Sequence, residues 1–211
     1  MRMTNRWNRF IYHLWAPIYD WFERLVMPPG RQRAMEVIDV QPGEKVLLVG
    51  VGTGADLPLL PAGVLAMGID LNAEMLAQAR EKISDARNDM LVQGDAQRLP
   101  LCTGCFDVAV LNLVLSVVPD GAACFRETVR ALKPDGRIVV FDKFLPDGVK
   151  PTLARKVCNL GTMFFGTDIT RCLGDMTADC RYVVVHDEAS LLNGMYRVIV
   201  MRSGLEHPLE V

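Results

Sequence analysis

The stretch Lys45-Val46-Leu47-Leu48-Val49-Gly50-Val51-Gly52-Thr53-Gly54 decides the fold. Its first half, KVLLV, is a nearly unbroken apolar run, as a strand buried on both faces requires. Its second half repeats glycine at alternate positions, so backbone can approach a ligand where a Cβ would clash. A loop in this place opens at the carboxyl end of a sheet, where open α/β folds bind their ligands. The other reading is a tight turn with no ligand, but three alternating glycines exceed what a turn needs.

Outward from this loop, strand and helix patterns alternate. Residues 64–69, 90–93, 106–111 and 137–141 read as strands, and 182–186 and 196–201 as the last two. Residues 72–86, with Asn72 as cap, residues 120–132, closed by Pro134 and Gly136, and residues 152–165 read as helices. The alternation predicts an α/β fold with a parallel sheet and helices on both faces.

Composition narrows the function. The 211 residues suit one domain, with a core at 45–142 that carries the glycine loop and a further helix and the last two strands at 143–211. Twenty-three basic and 25 acidic residues leave a net charge of -2, so a nucleic-acid partner is not expected. The six cysteines are too sparse for a disulfide scaffold and read as mostly reduced thiols of a cytoplasmic protein. Cys102-Thr103-Gly104-Cys105 has a metal-like spacing, but no second ligand pair follows it. It reads as two exposed, oxidisable thiols, and no metal site is expected.

Residues 1–33 form a separate arm. Six arginines face two acids there, and the aromatics Trp7, Phe10, Tyr12, Trp15, Tyr19, Trp21 and Phe22 are interleaved with them. Pro17 and then Pro28-Pro29-Gly30 are expected to end two helical pieces, with a helix over 31–40 after them. The arm reads as a lid over the ligand, as a peripheral membrane-surface segment, or as both.

Asp70 stands twenty positions after Gly50, where a nucleotide site wants an acid for ribose hydroxyls. Asn72 already supplies the helix cap, which leaves Asp70 available for that role. Gly50, Gly52 and Ala55 also fit a dinucleotide fingerprint, so these residues indicate adenosine without choosing the cofactor. Asp95, after the third strand, is placed to accept from an adenine amine or else to close an Asx turn. Asn112 ends the fourth strand inside an apolar run and is expected to face the crevice.

Taken in order, VLLVGVGTG, MGIDLNAEML, VQGDAQRLP, FDVAVLNLVLSVVPD and ALKPDGRIVVF resemble the class I S-adenosylmethionine (SAM) dependent methyltransferases. YHLWAPIYD in the arm is similar to the start of ubiquinone/menaquinone-type C-methyltransferases and bacterial phosphatidylethanolamine N-methyltransferases. LSVVPD is particularly like the latter. The resemblance implies a Rossmann-like sheet, mostly parallel with an antiparallel last strand. It also implies SAM as cofactor. Gly50, Gly52 and Gly54 would pass under its methionine and ribose, Asp70 bind the ribose, and Leu71 lie against adenine. Asp95 would take the adenine amine, Ala96 the ring edge, Asn112 the methionine end, and Tyr19 would cover the sulfonium. Leu48 departs from the pattern, since many relatives have an acid there; the amino group then falls to backbone carbonyls or Asn112.

Methyl transfer needs alignment and a dry site more than a nucleophile. His13, Asp142 and Lys143 are the weak candidates for a base. The favoured acceptor is a small or lipid-like molecule, with a phospholipid-type amine first. A quinone-type ring follows, then a small hydroxyl or thiol metabolite. A SAM-binding protein without activity and a nucleotide-dependent oxidoreductase are the rival classes.

Overall fold

The computed structural model describes residues 25–83, 89–145, 149, 151–164, 167–192 and 194–204. Lys45–Val49 forms β1, and four of its five side chains are buried, as the apolar run requires. The other strands are β2 (Leu65–Asp70), β3 (Met90–Gln93), β4 (Phe106–Asn112), β5 (Leu132–Lys143), β6 (Tyr182–Ala189) and β7 (Tyr196–Ser203). They make one seven-stranded sheet in the order β3-β2-β1-β4-β5-β7-β6. The pairings from β3 across to β5 are parallel, whereas β7 runs antiparallel to both β5 and β6. The expected mostly parallel sheet with an antiparallel last strand is therefore observed.

Two apolar clusters cover the two faces. Leu48, Val110, Val139 and Phe141 belong to one, and Leu47, Val49, Leu111 and Val140 to the other. Neighbouring residues of one strand thus point to opposite sides, and β1 and β4 are filled on both.

Helix α1 (Pro28–Ile38) packs on the first face. The helical residues before it, Leu25 and Val26, end at the bend of Met27, as expected, and Pro28 and Pro29 open α1 itself. Their missing N–H groups cost nothing in a first turn, where no helical acceptor exists. Gly30 is needed by close approach: a Cβ there would lie 2.2 Å from the Phe141 ring. Arg137 closes the other end, donating to the carbonyls of Ile38 and Asp39.

No α-helix follows the glycine loop among the described residues. A single 3-10 turn, Leu57–Leu59, stands there instead. Pro58 and Pro61 account for it, since Leu60 is extended (ψ 137°) ahead of Pro61. Then come α2 (Ala73–Arg80), α3 (Gly121–Ala131), α4 (Leu153–Phe164) and α5 (Leu173–Thr177). The last was not expected from the sequence. Strand β5 also begins earlier than expected, at Leu132, with a register shift against β4 that loops out Lys133 to Gly136. Cys102 and Cys105 are joined in a disulfide, which corrects the reading of two thiols. Among the described residues no helix is long and apolar enough to cross a membrane.

Candidate functional site

The loop after β1 is held by the end of β2. Val51 donates to the Ile69 carbonyl at 2.9 Å, and Gly52 donates to Asp70 Oδ2 at 2.9 Å. Asp70 Oδ1 accepts from Asn72 N at 2.9 Å, while Asn72 caps α2 by accepting from Glu74 N at 2.8 Å. The cap is as expected, but Asp70 is not left free by it: its carboxylate clamps the loop. Each carboxylate oxygen has further acceptor capacity, so the clamp leaves room for a hydroxyl donor.

The three glycines differ in role. All have positive φ, at 67°, 54° and 77° for Gly50, Gly52 and Gly54. A Cβ on Gly50 would strike Val114, and one on Gly54 would strike Ala79 and Leu57. A Cβ on Gly52 would meet nothing nearer than the Gly50 carbonyl at 4.0 Å. Gly50 and Gly54 thus serve packing, and Gly52 presents bare backbone to open space.

The second wall comes from the end of β3. Gly94 donates to the Asp70 carbonyl at 2.9 Å, which sets this turn beside the β2 end. Asp95 closes an Asx turn: its Oδ1 accepts from Gln97 N and Gln97 Nε2, each at 2.9 Å. Ala96 is buried, and the Leu71 carbonyl accepts from Gln93 Nε2 at 3.1 Å.

The third wall holds a buried polar group that sequence reasoning missed in part. Asn112 Nδ2 donates to Asp56 Oδ1 at 2.9 Å, and Arg31 donates to Asp56 Oδ2 at 2.8 Å. Asn112 is 4% exposed, and its Oδ1 has no hydrogen-bond partner. Arg31 comes from α1, Asp56 from the loop after Gly54, and Asn112 from the end of β4. A signal for Arg31 was present: it shares the apolar stripe of Ala34, Met35 and Ile38, where a charge needs a buried partner.

Leu48 is 1% exposed and packed in the core of this same face, so no vacancy marks the absent acid. The carboxylate on this face is Asp56, delivered by the loop instead of the strand. Lacking an α-helix, the loop also lacks the helix N-terminus that a pyrophosphate would use, which counts against a dinucleotide.

Two base candidates are otherwise engaged. Asp142 is fully buried and accepts from Ser116 N and Lys143 N, both at 2.8 Å. It anchors the chain leaving β4. Lys143 places its ammonium 5.5 Å from the Tyr196 ring centroid, a cation–π contact. His13 and Tyr19 lie outside the described residues. Among the described residues no group of three or more metal-ligating side chains is found.

A family profile described as "Methyltransferase domain" matches residues 47–140. A phosphatidylethanolamine N-methyltransferase of Cereibacter sphaeroides is 34% identical over 193 residues, 88% of this chain and 92% of that protein. A demethylmenaquinone methyltransferase of Corynebacterium kroppenstedtii is 36% identical over 117 residues, 55% of this chain and 49% of that protein. Among solved structures, an S-adenosylmethionine dependent methyltransferase from Mesorhizobium loti superposes with a TM-score of 0.63 at 19% identity, covering 83% of this chain and 98% of that one. The YcgJ protein from Bacillus subtilis gives 0.68 at 17% identity, with 84% and 98% covered. These two likenesses speak to the fold.

Proposed function

The chain belongs to the S-adenosylmethionine-dependent methyltransferases, and from that premise we propose that it methylates the amine of a phospholipid-like acceptor. The observation that carries this reading is the extent of similarity. The phosphatidylethanolamine N-methyltransferase is matched over 92% of its length, the demethylmenaquinone methyltransferase over 49%.

Two features of the structure fit the cofactor: the open side of Gly52 and the buried, unpartnered Oδ1 of Asn112. When bound, SAM supplies a sulfonium-activated methyl that a neutral amine nitrogen takes in line, the carbon–sulfur pair staying on sulfur. The chain's part is to hold the two reactants about 3–3.5 Å apart and dry. Asp70 accepts the ribose hydroxyls while it clamps Gly52. Asp95, Leu71 and Ala96 line the adenine end. A methionine end is a zwitterion, and the Arg31–Asp56–Asn112 group offers both signs: a guanidinium for its carboxylate, and a carboxylate and amide oxygen for its ammonium. No described side chain is placed to act as base, and an amine needs none once it has lost its proton to water.

The test is transfer of labelled methyl from SAM, with the full chain, to phosphatidylethanolamine and to demethylmenaquinone in the same detergent. Label in the phospholipid fraction is the expected result. Label in the quinone alone overturns the amine reading and leaves the methyltransferase intact.

A further inference from the structure

We infer that the Cys102–Cys105 disulfide is a reversible thiol–disulfide exchange site, open to a dithiol, and that it stiffens the turn backing the adenine wall. The bond closes a ring of four residues, Cys102 to Cys105, between β3 and β4. A ring so short removes little freedom from the unfolded chain, so it does little as a staple. Nor does the turn depend on it for its place. Gly104 N donates to the Arg130 carbonyl at 3.0 Å and Cys105 N to the Ala131 carbonyl at 2.8 Å, at the end of α3. Arg130 in turn donates to the carbonyls of Leu99 and Leu101, at 3.1 and 2.9 Å. The bond can therefore open without unfolding the sheet behind it.

Accessibility and chemistry select this pair. Cys102, Thr103 and Gly104 are exposed and Cys105 is half-buried. Burial pushes the Cys124 thiol, by contrast, up to about 12, which keeps it protonated and inert. The exchange balances with a dithiol as the only co-reactant. One thiolate of the dithiol bonds to Sγ of Cys102, the more exposed residue, and Cys105 leaves with the electron pair. The reagent's second thiolate then bonds to its first sulfur, and Cys102 leaves in turn. The two protein thiolates take the protons that the reagent's thiols gave up. Two electrons pass to the protein, and the reagent ends as a disulfide. Cys105 Sγ is 3.7 Å from the Thr103 carbonyl, which is an acceptor for the thiol so formed.

The turn is joined to the cofactor site, and its effect there rests on the reading that places adenine against Asp95 and Ala96. Gly94 opens that wall. A Cβ on it would lie 3.0 Å from Pro100 Cδ, so Pro100 packs directly behind it. Leu99 is buried and donates to Glu127 Oε2 at 2.9 Å. With the bond closed, the segment leaving the wall and the segment entering β4 move as one. Once it is open, the first segment is held through the side chains of Arg130 and Glu127. Adenine then meets a wall that must be ordered as it binds, which lowers affinity. The acceptor assignment plays no part in this.

The experiment compares the full chain after isolation in air with the same chain treated, while folded, with dithiothreitol. Thiols alkylated and counted by mass should rise from four, the unpaired cysteines, to six with this pair. Calorimetric titration should show SAM affinity lower in the reduced protein by roughly fivefold, the low end of ordinary coupling between sites. Amide hydrogen exchange over residues 94–105 should be faster in the reduced form without SAM, and reoxidation should restore both. Cys102→Ser with Cys105→Ser should bind SAM like the reduced parent and ignore dithiothreitol. If that variant does not fold, the parent in its two states decides. A protein isolated in air with six free thiols overturns the inference. So does a bond that opens only in denaturant, and so do two states equal in both SAM affinity and hydrogen exchange. Faster exchange with equal affinity would sink the placing of adenine on this wall and leave the exchange site standing.

Discussion

Residues 45–142 and residues 143–204 finish the same sheet by different rules. In the first part the polar groups at the strand ends are settled inside the fold: Asp70 on Gly52 N, Asp95 on Gln97, Asn112 on Asp56. Its apolar residues fill both faces of β1 and β4. In the second part, α4 spends Asn159 and Arg155 inward and leaves Leu153 and Val157 outside, and the edge strand β6 exposes Val183, Val184 and Val185. In the first part the buried Asn112 Oδ1 is left without a partner among the described residues. The second leaves apolar side chains at its surface. The difference lies in where each part puts its apolar residues: the first in the core of the sheet, the second partly at the surface.

The comparison breaks most decisively at Leu48. Leu48→Glu puts an unpaired carboxylate into the core beside Val110, and should cost about 5 kcal/mol of unfolding free energy, read from denaturant curves. A folded variant with tighter SAM binding would mean that this face is open to the cofactor and not packed. Asp56→Ala leaves the Arg31 guanidinium buried without its carboxylate. It should destabilise by about 3 kcal/mol and weaken SAM in calorimetric titration. An unchanged affinity would remove the methionine-end role and leave a structural ion pair. Asp70→Ala sharpens the picture of a clamp that also binds: stability and SAM affinity should both fall, each by about 1–3 kcal/mol. Loss of affinity alone would show that the Gly52 contact contributes nothing to the fold.

The smallest effect concerns the turn between β3 and β4. Arg130 holds the Glu127 carboxyl below its usual range, and Glu127 also accepts from Leu99 N at 2.9 Å. A carboxyl with a lowered folded value adds stability that is present above its unfolded value. That stability is lost as pH falls through the folded one. Glu127→Gln should therefore cost under about 1 kcal/mol at pH 7. The gap from the parent should close below about pH 4, in thermal melts across pH.

Strands β1 and β4 were legible because burial on both faces prints itself as continuous apolar sequence, and both begin where expected. The glycine loop and the Asn72 cap were legible for the same reason, being local chemistry. What failed was context. Pro28-Pro29 reads correctly as a stop, but not as the start of the next helix, which begins there and not at Arg31. Pro58 and Pro61 keep the link from β1 to β2 to a single 3-10 turn, which no period in the sequence marks. A five-residue helix such as Leu173–Thr177 has too few turns to show a period. Arg31 and Asp56 lie 25 residues apart, and only the fold reveals that they neutralise each other. The Cys102–Cys105 pair carried its spacing in plain view, yet spacing alone does not say whether the thiols are joined.

The central claim is that a lipid amine, not a free head group, receives the methyl. The direct measurement is release of S-adenosylhomocysteine by the full chain from SAM, with phosphatidylethanolamine in phosphatidylglycerol vesicles and, separately, with phosphoethanolamine in water. The account predicts release with the vesicles and little above background with the soluble head group. Equal release from both, or release from neither, would contradict it.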